Sequence, residues 1–595
     1  MVRFAGLLLC TLGLFAQAPP KPQTDSVVVT GAFEPIPLEE TDRAVQSWKL
    51  DDQQRVLINT LFDLLRLDPA MDVRGRAPNG VQTDVSIRGG GFGQTLVLLN
   101  GLRLNDAQSG HHNFDVPIPA DLVDRVEVLR GAGSTMYGSD AIAGVVNVIT
   151  RTPESSEIRI RSALGNFGVN QESLSGVFAR KNFVQSLAVS RDFSSGFAAD
   201  RDYRNLSMAS LSHWRGSLGA GDLTLAMNDR PFGGDQFYGN FNSWERTRTW
   251  FAALSQQIGA NTTAAFAYRR HTDLFVLYRD RPSVFENRHS DESYQASVRR
   301  HDRLSETVSL NYGVEGYRDS VESTNLGNHD RARGAGYVAL DLRALRRFSF
   351  SIGGREEFFT GGRKEFSPTI SAGAWLSPQW KLRGSASRAF RLPSYTDLYY
   401  HDPANIGSPD LRPESAWGFE GGVEWTPKAG RIRADATLFH RREKDDIDYV
   451  RKSPTDIYRA TNFQRLNFTG VEAAVTVALQ KTQWLDVRYT SLHGIQDVLG
   501  GLQSKYTFNY PRNSGIVGWR AALPHGFLIR TRIGVLDRLG RDPYAVWDAY
   551  AAKRHGRWTP FIQFTNLTAT TYQEIIGVRT PGRGVVGGIE FRTAW

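Results

Sequence analysis

The stretch RIRADATLFH, residues 431–440, decides the fold class because its hydrophobicity changes at every second position. Its apolar members are Ile432, Ala434, Ala436 and Leu438, and the polar residues between them are Arg433, Asp435 and Thr437. A period of two is the spacing of a β-strand whose two faces meet different surroundings. Similar alternation recurs in residues 471–479, 527–535 and 589–595. The sequence from about residue 155 to 595 therefore predicts strands and no amphipathic helix.

The length of this region indicates a closed barrel in an outer membrane. An open sheet of this size would expose unpaired edges in water. Closure within a membrane satisfies every backbone group and turns apolar faces to lipid and polar faces to the lumen. At about 20 residues per strand with its loop, the region gives about 22 antiparallel strands, the size class whose lumen is plugged. The predicted fold class is an all-β transmembrane barrel (155–595) with a small α+β plug domain in its lumen.

Composition excludes several other classes. The chain has 595 residues, of which 41% are hydrophobic and 22% charged, and its only sustained apolar run is N-terminal, so a helical membrane protein is excluded. Lys and Arg (71) slightly outnumber Asp and Glu (62) without a long basic tract, so no nucleic-acid partner is expected. The one cysteine, Cys10, excludes a disulfide framework and a cysteine-based zinc site.

The N-terminus predicts export. Residues 1–18 combine Arg3, an apolar core and the small-residue site Ala16-Gln17-Ala18, as in a signal peptide. Residues 19–39 form a proline-containing periplasmic linker that carries a β-branched run at 25–31. Two interpretations of this run stay open: an added strand on the sheet edge of a partner, or the first strand of the following domain.

Residues 40–153 predict a compact α+β unit. Leucines at helical spacing lie at 57–65, and short apolar strands are expected at 96–99, 126–129 and 145–149. The strand at 96–99 meets Asn100-Gly101, a hairpin turn sequence. A unit of this size is large enough to fill the lumen of a wide barrel.

Short motifs in the same order resemble those of the TonB-dependent outer-membrane receptor family over nearly the whole mature chain. The segment similar to the TonB box is Asp25, Ser26, Val27, Val28, Val29 and Thr30. Plug motifs are DVSIRG (84–89), LLNGLR (98–103, with Asn100 where Asp is more usual), RVEVLRG (125–131) and YGSDAIAGVVNVIT (137–150). Barrel motifs are RAFRLPS (388–394), LRPE (411–414), GVE (470–472) and the closing segment 566–595. The sequences of the plug motifs are most similar to those of the cobalamin-receptor branch and are shared with siderophore receptors.

The resemblance implies an active transporter of the outer membrane. It would bind a scarce, bulky ligand, a ferric siderophore or a cobalamin-type chelate, and import it to the periplasm with energy that the TonB C-terminal domain transmits through the box. It implies a monomer in lipid, and no enzyme, because transport needs no catalytic residues. The alternatives are a receptor for haem, an oligosaccharide or a peptide, and a surface-binding barrel without transport. A passive porin would lack plug and box, and no local signature indicates a barrel enzyme.

The resemblance also implies an ion-pair lock between plug and barrel. The residues assigned to it are Arg88, Glu127, Arg130, Glu420 and Glu472. Buried charges persist only when they are paired and hydrogen-bonded. The alternative is that the arginines satisfy local carbonyls and that both barrel glutamates face the solvated lumen.

Ligand contacts are expected on the plug's outward loops and on the outer loops of the barrel. The candidates on the plug are Asn79, Gln82, His111, His112, Asn113 and Phe114, and those on the barrel are Phe237, Tyr238, Tyr399 and Tyr400. The adjacent histidines either touch a metal chelate or are ordinary loop residues. No protein-bound metal is predicted, because the sequence shows too few converging donors. No cofactor is expected; Ca²⁺ held by Asp192, Asp200 and Asp202 is the alternative to ordinary acidic loops.

Overall fold

A computed structural model describes residues 27–345, 347–427, 430–463, 465–495 and 499–595. The predicted signal peptide and the first two residues of the box, Asp25 and Ser26, lie outside the described residues. Within these ranges, no helix has both the length and the apolar character needed to cross a bilayer.

The N-terminal part folds as an α+β unit. Its strands are β1 (Val27–Val28), β2 (Ile36–Pro37), β3 (Val45–Lys49), β4 (Met71–Gly75), β5 (Thr83–Ile87), β6 (Thr95–Leu99), β7 (Leu102–Arg103), β8 (Val123–Arg130) and β9 (Gly144–Thr150). Its helices are α1 (Asp52–Arg55), α2 (Leu61–Leu65) and α3 (Ser134–Tyr137), with 3-10 turns at Leu38–Glu40, Pro78–Gly80, Phe92–Gln94, Gly110–His112 and Ala120–Leu122. A five-stranded sheet in the order β3-β8-β9-β6-β7 carries the core, and β4 pairs with β5.

Local sequence explains two of these elements. Asp63 begins α2 by accepting hydrogen bonds from the backbone nitrogens of Asn59 (2.8 Å) and Thr60 (3.0 Å). Asn100 and Gly101 join β6 to β7 with φ of 51° and 80°, the left-handed conformation that a two-residue type I′ hairpin requires.

Twenty-two antiparallel strands then close into a barrel, which confirms the predicted fold class. Its first strands are β10 (Glu157–Gly165), β11 (Asn170–Arg180), β12 (Phe183–Ser194), β13 (Tyr203–Arg215), β14 (Ala220–Asp235), β15 (Asn242–Ile258), β16 (Thr262–Val276), β17 (Glu286–Arg303), β18 (Val308–Ser323), β19 (Gly327–Leu345), β20 (Phe348–Phe359), β21 (Lys364–Ser377) and β22 (Trp380–Arg391). The short helix α4 (Tyr395–Tyr399) and strand β23 (Asn405–Ile406) follow in an outer loop.

The remaining barrel strands are β24 (Glu414–Trp425), β25 (Ile432–Lys444), β28 (Leu466–Gln480), β29 (Gln483–Gly494), β31 (Pro511–Ala522), β32 (Phe527–Arg538), β33 (Tyr544–Lys553), β34 (Trp558–Thr565) and β35 (Gly584–Ala594). Loop strands β26 (Asp446–Arg451), β27 (Tyr458–Phe463) and β30 (Gln503–Ser504) join β23 in a separate four-stranded sheet, in the order β23-β27-β26-β30. Short 3-10 turns lie at Pro282–Val284 and Pro524–Gly526. The barrel closes where β10 pairs with β35, from Glu157 opposite Ala594 to Gly165 opposite Val586.

The apolar and polar residues that alternate in the sequence point alternately to the outer and inner faces of the barrel. In β25, Leu438 is 63% exposed on the outer face, whereas the neighbouring Thr437 is 2% exposed and points to the plug-filled lumen. Apolar residues therefore face lipid and polar residues face the plug, as a transmembrane barrel requires.

Connection length and plug contacts orient the barrel. Two-residue turns at 181–182 and 481–482 lie at one end, and longer connections such as 392–413 lie at the other. The chain before the plug sheet contacts the short-turn end, where Glu34 lies 3.2 Å from the Ser309 hydroxyl and 3.1 Å from His301 Nε2. Since short turns face the periplasm in this architecture, the box region lies on the periplasmic side and the long loops face outward.

Candidate functional site

Four of the five residues assigned to the lock meet at the plug–barrel boundary. Arg88 donates from Nε and Nη2 to the two carboxylate oxygens of Glu472 (2.6 and 2.9 Å) and from Nη1 to Glu420 (3.1 Å). Arg130 donates to the same Glu472 at 2.8 Å, and its guanidinium lies 3.7 Å from Asp68. All of these side chains are buried. The plug is thus joined to strands β24 and β28 by a hydrogen-bonded network of opposite charges; its locking role stays a prediction.

The backbone around Arg88 places its side chain in this network. Arg88 has a φ of 49° and Gly89 one of 72°, so two successive residues are left-handed. At Gly89 the conformation and the space both require glycine, because an added Cβ would overlap Leu492 of the barrel wall. Between the two glutamates, the ring of Phe439 on β25 lies 4.2 Å from the Arg88 guanidinium carbon. This close approach gives the arginine a cation–π contact in addition to its ion pairs.

Glu127 does not join this cluster, which corrects its assignment to the lock. Its Oε2 accepts hydrogen bonds from the backbone nitrogens of Val29 (2.9 Å) and Thr30 (2.8 Å), and its Oε1 accepts one from Arg125 Nε (2.7 Å). Glu127 and Arg130 both lie on β8, but residues three apart on a strand point to opposite faces. Glu127 therefore anchors the box instead of the barrel.

The described part of the box packs against the plug in this structure. Val28 and Thr30 are fully buried, and β1 pairs with β2, with Val28 opposite Ile36. The Thr30 hydroxyl accepts a hydrogen bond from the Asn147 side chain at 3.0 Å. The segment is here one strand of a separate two-stranded sheet and does not join the five-stranded plug sheet, so both interpretations stay open. A partner could pair with it only after these contacts break.

Loss of the Glu127 carboxylate is expected to free the box. In Glu127→Ala, two backbone N–H groups lose a charged acceptor worth about 1.5–3 kcal/mol per bond, so exposure of the segment should rise at least about tenfold. The measurement is the maleimide labelling rate of Val29→Cys, whose thiol is unique once the predicted signal peptide carrying Cys10 is removed. Asp124→Ala is the control, because Asp124 contacts Arg125 and not the box. An unchanged labelling rate would contradict the anchoring role.

An aromatic and cationic surface lies at the outward apex of the plug. The Phe92 ring stacks on His111 at 4.2 Å, and the Tyr506 ring from the outer loops lies 5.2 Å from Phe92. Lys505 places its ammonium 5.1 Å from the ring of Tyr506 and 5.6 Å from that of Tyr449. We call Phe92, His111, Tyr449, Lys505 and Tyr506 the apical cluster. It offers rings and a positive charge to a ligand that enters from outside.

Burial and a neighbouring carboxylate shift the pKa of the imidazole of this cluster in opposite directions. Burial lowers the pKa of His111 from its ordinary value, against the raising effect of Asp84, whose Oδ1 lies 2.8 Å from Nδ1. Burial alone would raise the pKa of Asp84, but Arg76 and His111 together hold it well below its usual range. The lowered pKa favours the neutral form of His111, so Lys505 is the cationic group of the apical cluster.

Three predicted ligand residues pack inside the fold, which corrects their assignment; Gln82 and His112, each 5% exposed, are also buried. Phe114 belongs to the plug core, 5.9 Å from the ring of Phe62. Asn113 is 2% exposed and accepts a hydrogen bond from the Asp106 backbone nitrogen at 3.0 Å. Phe237 is 5% exposed beneath the Arg201 guanidinium, whose carbon lies 4.5 Å from the ring. These side chains shape the loops and do not present themselves to a ligand.

The other predicted ligand residues separate into small groups. Asn79 donates to the Tyr203 hydroxyl (2.7 Å), and the Gln82 amide donates to the hydroxyl of Tyr238, which in turn donates to Glu245 (2.8 Å). On the outer loops, Tyr399 stacks on His329 at 3.7 Å, and Tyr400 is half-buried beside it.

His112 turns away from the apical cluster toward the barrel wall. Its Nε2 lies 3.5 Å from Asp273 on β16. Each potential metal-ligating group found among the described residues contains His112, His271 or both.

The acidic loop residues proposed for Ca²⁺ are divided between other partners. Asp200 and Asp202 both bind the Arg279 guanidinium. Asp192 accepts from the Gln171 amide at 3.3 Å. The Arg279 guanidinium therefore lies between two of the three carboxylates, and calcium binding stays a prediction.

Sequence reasoning did not identify Lys505, Tyr506 or the barrel histidine His271. The first two lie in loop 499–510, far along the chain from the plug residues that they approach. His271 sits in an ordinary alternating strand. A visible cue was that His271, Asp273, His289 and Asp291 all occupy lumen-facing positions of β16 and β17.

Comparisons with known proteins agree with this arrangement. Residues 167–570 match the family model described as TonB dependent receptor-like, beta-barrel, and residues 37–145 match the TonB-dependent Receptor Plug Domain. The chain is 26% identical over 558 residues to the iron-regulated outer membrane virulence protein of Vibrio cholerae, covering 82% of each. It is 24% identical over 417 residues to the vitamin B12 transporter BtuB of Photobacterium profundum, covering 67% of this chain and 66% of the relative.

A solved structure shows the same fold. The siderophore receptor PirA of Pseudomonas aeruginosa superimposes with a TM-score of 0.72 at 17% identity, covering 92% of this chain and 99% of the other.

Proposed function

The chain belongs to the TonB-dependent receptor family, and from this premise we propose that its cargo is a ferric siderophore carrying negative charge and aromatic groups. Membership establishes the broader function: the protein is an outer-membrane receptor that imports a ligand, in a family of receptors and transporters not known as enzymes. The family also implies a TonB partner in the periplasm.

The observation that supports this cargo is the apical cluster. Ferric complexes of catecholate siderophores carry aromatic rings and negative charge, so aromatic rings with one ammonium group complement them. Lys505 sits among three tyrosine rings, those of Tyr449, Tyr458 and Tyr506, at 5.1 to 5.6 Å. The iron regulation named for the Vibrio cholerae relative is consistent with an iron cargo.

Removal of the apical ammonium group is expected to weaken ligand binding. Lys505→Ala loses a charged contact of about 1.5–3 kcal/mol, which predicts a Kd for the anionic ferric siderophore about 10- to 100-fold higher. The measurement is fluorescence quenching or calorimetric titration with purified protein in detergent. Lys452→Ala is the matched control, because Lys452 is an exposed lysine in the neighbouring β26–β27 connection. Equal affinities of Lys505→Ala and the control would contradict the role of the apical cluster.

Growth on defined iron and corrinoid sources tests the cargo itself. Cells that depend on this receptor are expected to grow on one or more anionic ferric siderophores and to gain nothing from cobalamin. Growth on cobalamin alone would replace the proposed cargo with that named for the Photobacterium relative. Growth on haem, or on none of the compounds despite binding, would favour the other-ligand and binding-only alternatives.

TonB is proposed to engage the segment Val27–Thr30. The run of three valines provides an extended edge that can pair as an added strand. Pairing requires release from Glu127 and Asn147, which hold the backbone and the hydroxyl of Thr30. The box therefore connects partner binding to a plug whose own charges hold it within the barrel.

A further inference from the structure

A buried cluster of histidines and carboxylates joins the outward loop of the plug to the barrel wall. The plug supplies Asp106, His112 and Asp115, and strands β15, β16 and β17 supply Glu245, His271, Asp273 and Asp291. All of these residues are less than 9% exposed. The barrel members lie near the outward ends of their strands. We call these seven residues the boundary cluster.

The donor atoms converge at distances that suit metal coordination. His271 Nε2 lies 3.5 Å from Asp115 Oδ2, and His112 Nε2 lies 3.5 Å from Asp273 Oδ2 and 4.0 Å from Glu245 Oε1. The two imidazole rings are 4.8 Å apart. Ligands of one tetrahedral zinc ion, at bonds of about 2.0–2.1 Å, lie about 3.3 Å from one another. The donor atoms of His112, His271 and Asp115 lie within 4.8 Å of one another, so shifts of up to about 1.5 Å would place them around one ion.

Several nitrogen and oxygen atoms of the boundary cluster that could bind a metal lack hydrogen-bond partners. Neither ring nitrogen of the fully buried His271 makes a hydrogen bond of acceptable geometry, although Asp106 Oδ2 lies 2.9 Å from Nδ1. Both carboxylate oxygens of Asp291, one of Asp273 and one of Asp115 are also buried without a hydrogen bond. Buried polar atoms normally make hydrogen bonds. A concentration of buried nitrogen and oxygen atoms without hydrogen bonds at one point therefore indicates a missing ligand.

The charge balance of the boundary cluster is compatible with a bound cation. Its five carboxylates face two guanidinium groups, that of Arg230 on Asp115 and that of Arg269 on Asp106 and Asp291. When both imidazoles are neutral, as metal binding requires, the five carboxylates exceed the two guanidinium groups by three charges, and this excess is costly in a buried volume unless a cation compensates it.

We propose that the boundary cluster binds one divalent transition-metal cation through His112, His271 and Asp115, with Asp273 and Glu245 as adjoining carboxylates. Mixed imidazole and carboxylate donors suit Zn²⁺ and its first-row neighbours, whereas Ca²⁺ and Mg²⁺ take oxygen ligands. The ligands come from both plug and barrel, so the ion cross-links the two. This site is distinct from siderophore binding, because a siderophore supplies its own ligands to its iron.

Metal titration of the full chain tests the proposal. Purified receptor in detergent is stripped with chelator and dialysed against Zn²⁺ alone, without siderophore or TonB, and bound metal is measured by mass spectrometry. One equivalent per chain is expected, with Co²⁺ giving the visible absorption bands of a nitrogen- and oxygen-ligated site. Because no cargo is present, failure of the cargo assignment would leave this result unaffected.

Variants assign the metal to the boundary cluster. His112→Gln and His271→Gln are each expected to weaken Zn²⁺ binding at least about tenfold, as loss of a ligand should cost no less than loss of a group that orients one. His329→Gln is the matched control, because His329 is a barrel histidine that stacks on Tyr399 outside the cluster. Heat-modifiable electrophoretic migration checks that each barrel is folded.

If either histidine variant fails to fold, the near-isosteric Asp115→Asn and Asp273→Asn, which remove negative charge without changing volume, take its place. Absence of stoichiometric Zn²⁺ in the unsubstituted protein, or binding that is equally strong in all folded variants, would overturn the proposal. The boundary cluster would then be an ion network compensated by protonated histidines.

Discussion

Deletion of residues 25–31 is expected to abolish uptake while leaving the ligand bound at the cell surface. The deleted segment contains the three valines that provide the strand edge for TonB, so energy could no longer reach the plug. The ligand surface formed by Phe92, His111 and Lys505 lies at the opposite end of the plug. Radiolabelled ferric siderophore should therefore bind with near-wild-type affinity and accumulate in the periplasm at background level.

A control separates loss of the box from loss of a plug contact. Glu127→Ala removes the anchor of the same segment but keeps its sequence, so uptake should continue. Abolished uptake in both proteins would show that the contact with Glu127, and not the box, carries the effect. Full uptake by the deletion mutant would contradict the TonB assignment altogether.

Replacement of Glu472 by glutamine is expected to loosen the plug. The change leaves Arg88 and Arg130 without the carboxylate that both contact, at 2.6 to 2.9 Å. Removal of one partner of a buried ion pair costs up to about 3–5 kcal/mol. Here Arg88 keeps Glu420 and Arg130 keeps Asp68, so each arginine loses part of its compensation. Loosening should appear as passage of large antibiotics without TonB, as current through single receptors in planar bilayers, and as a lower Tm of the plug transition.

Glu424→Gln is the matched control for this change. Glu424 also faces the lumen on β24, but it pairs with Arg383 of the barrel, at 2.9 Å, and not with the plug. It should remove a similar ion pair without current or leak. If Glu472→Gln and Glu424→Gln both behave as wild type, the network would stabilise neither plug nor pore, and the lock hypothesis would fail.

The barrel was predictable because its determinant is local. Alternation at a period of two, as between Thr437 and Leu438, follows directly from the opposite surroundings of the two barrel faces. Asn100-Gly101 likewise determines its hairpin without help from distant residues. The conformation of these elements is determined by residues close together in the chain, so it can be predicted from the sequence.

Much of the site was not predictable because barrel closure determines it. His112 and His271 are 159 positions apart in sequence, and only the seating of the plug against β16 brings their rings to 4.8 Å. Burial is equally non-local, which is why Phe114 and Phe237 read as loop aromatics yet pack inside. The motif resemblance predicted that Arg88, Arg130, Glu420 and Glu472 lie together. It could not show that Glu127 points to the other face of β8.

The unequal strand lengths give the barrel a slanted rim. Strands β17 and β19 have 18 and 19 residues, whereas β10 and β34 have 9 and 8. Since the periplasmic turns are short all round, ten additional residues at about 3.3 Å each, tilted by about 40°, raise one side by about 25 Å. The tall side consists of hydrogen-bonded strands. The opposite side is completed by the irregular segment 566–583. We therefore expect any opening of the entrance to involve movement of the segment on the low side, while the long strands of the tall side stay in place.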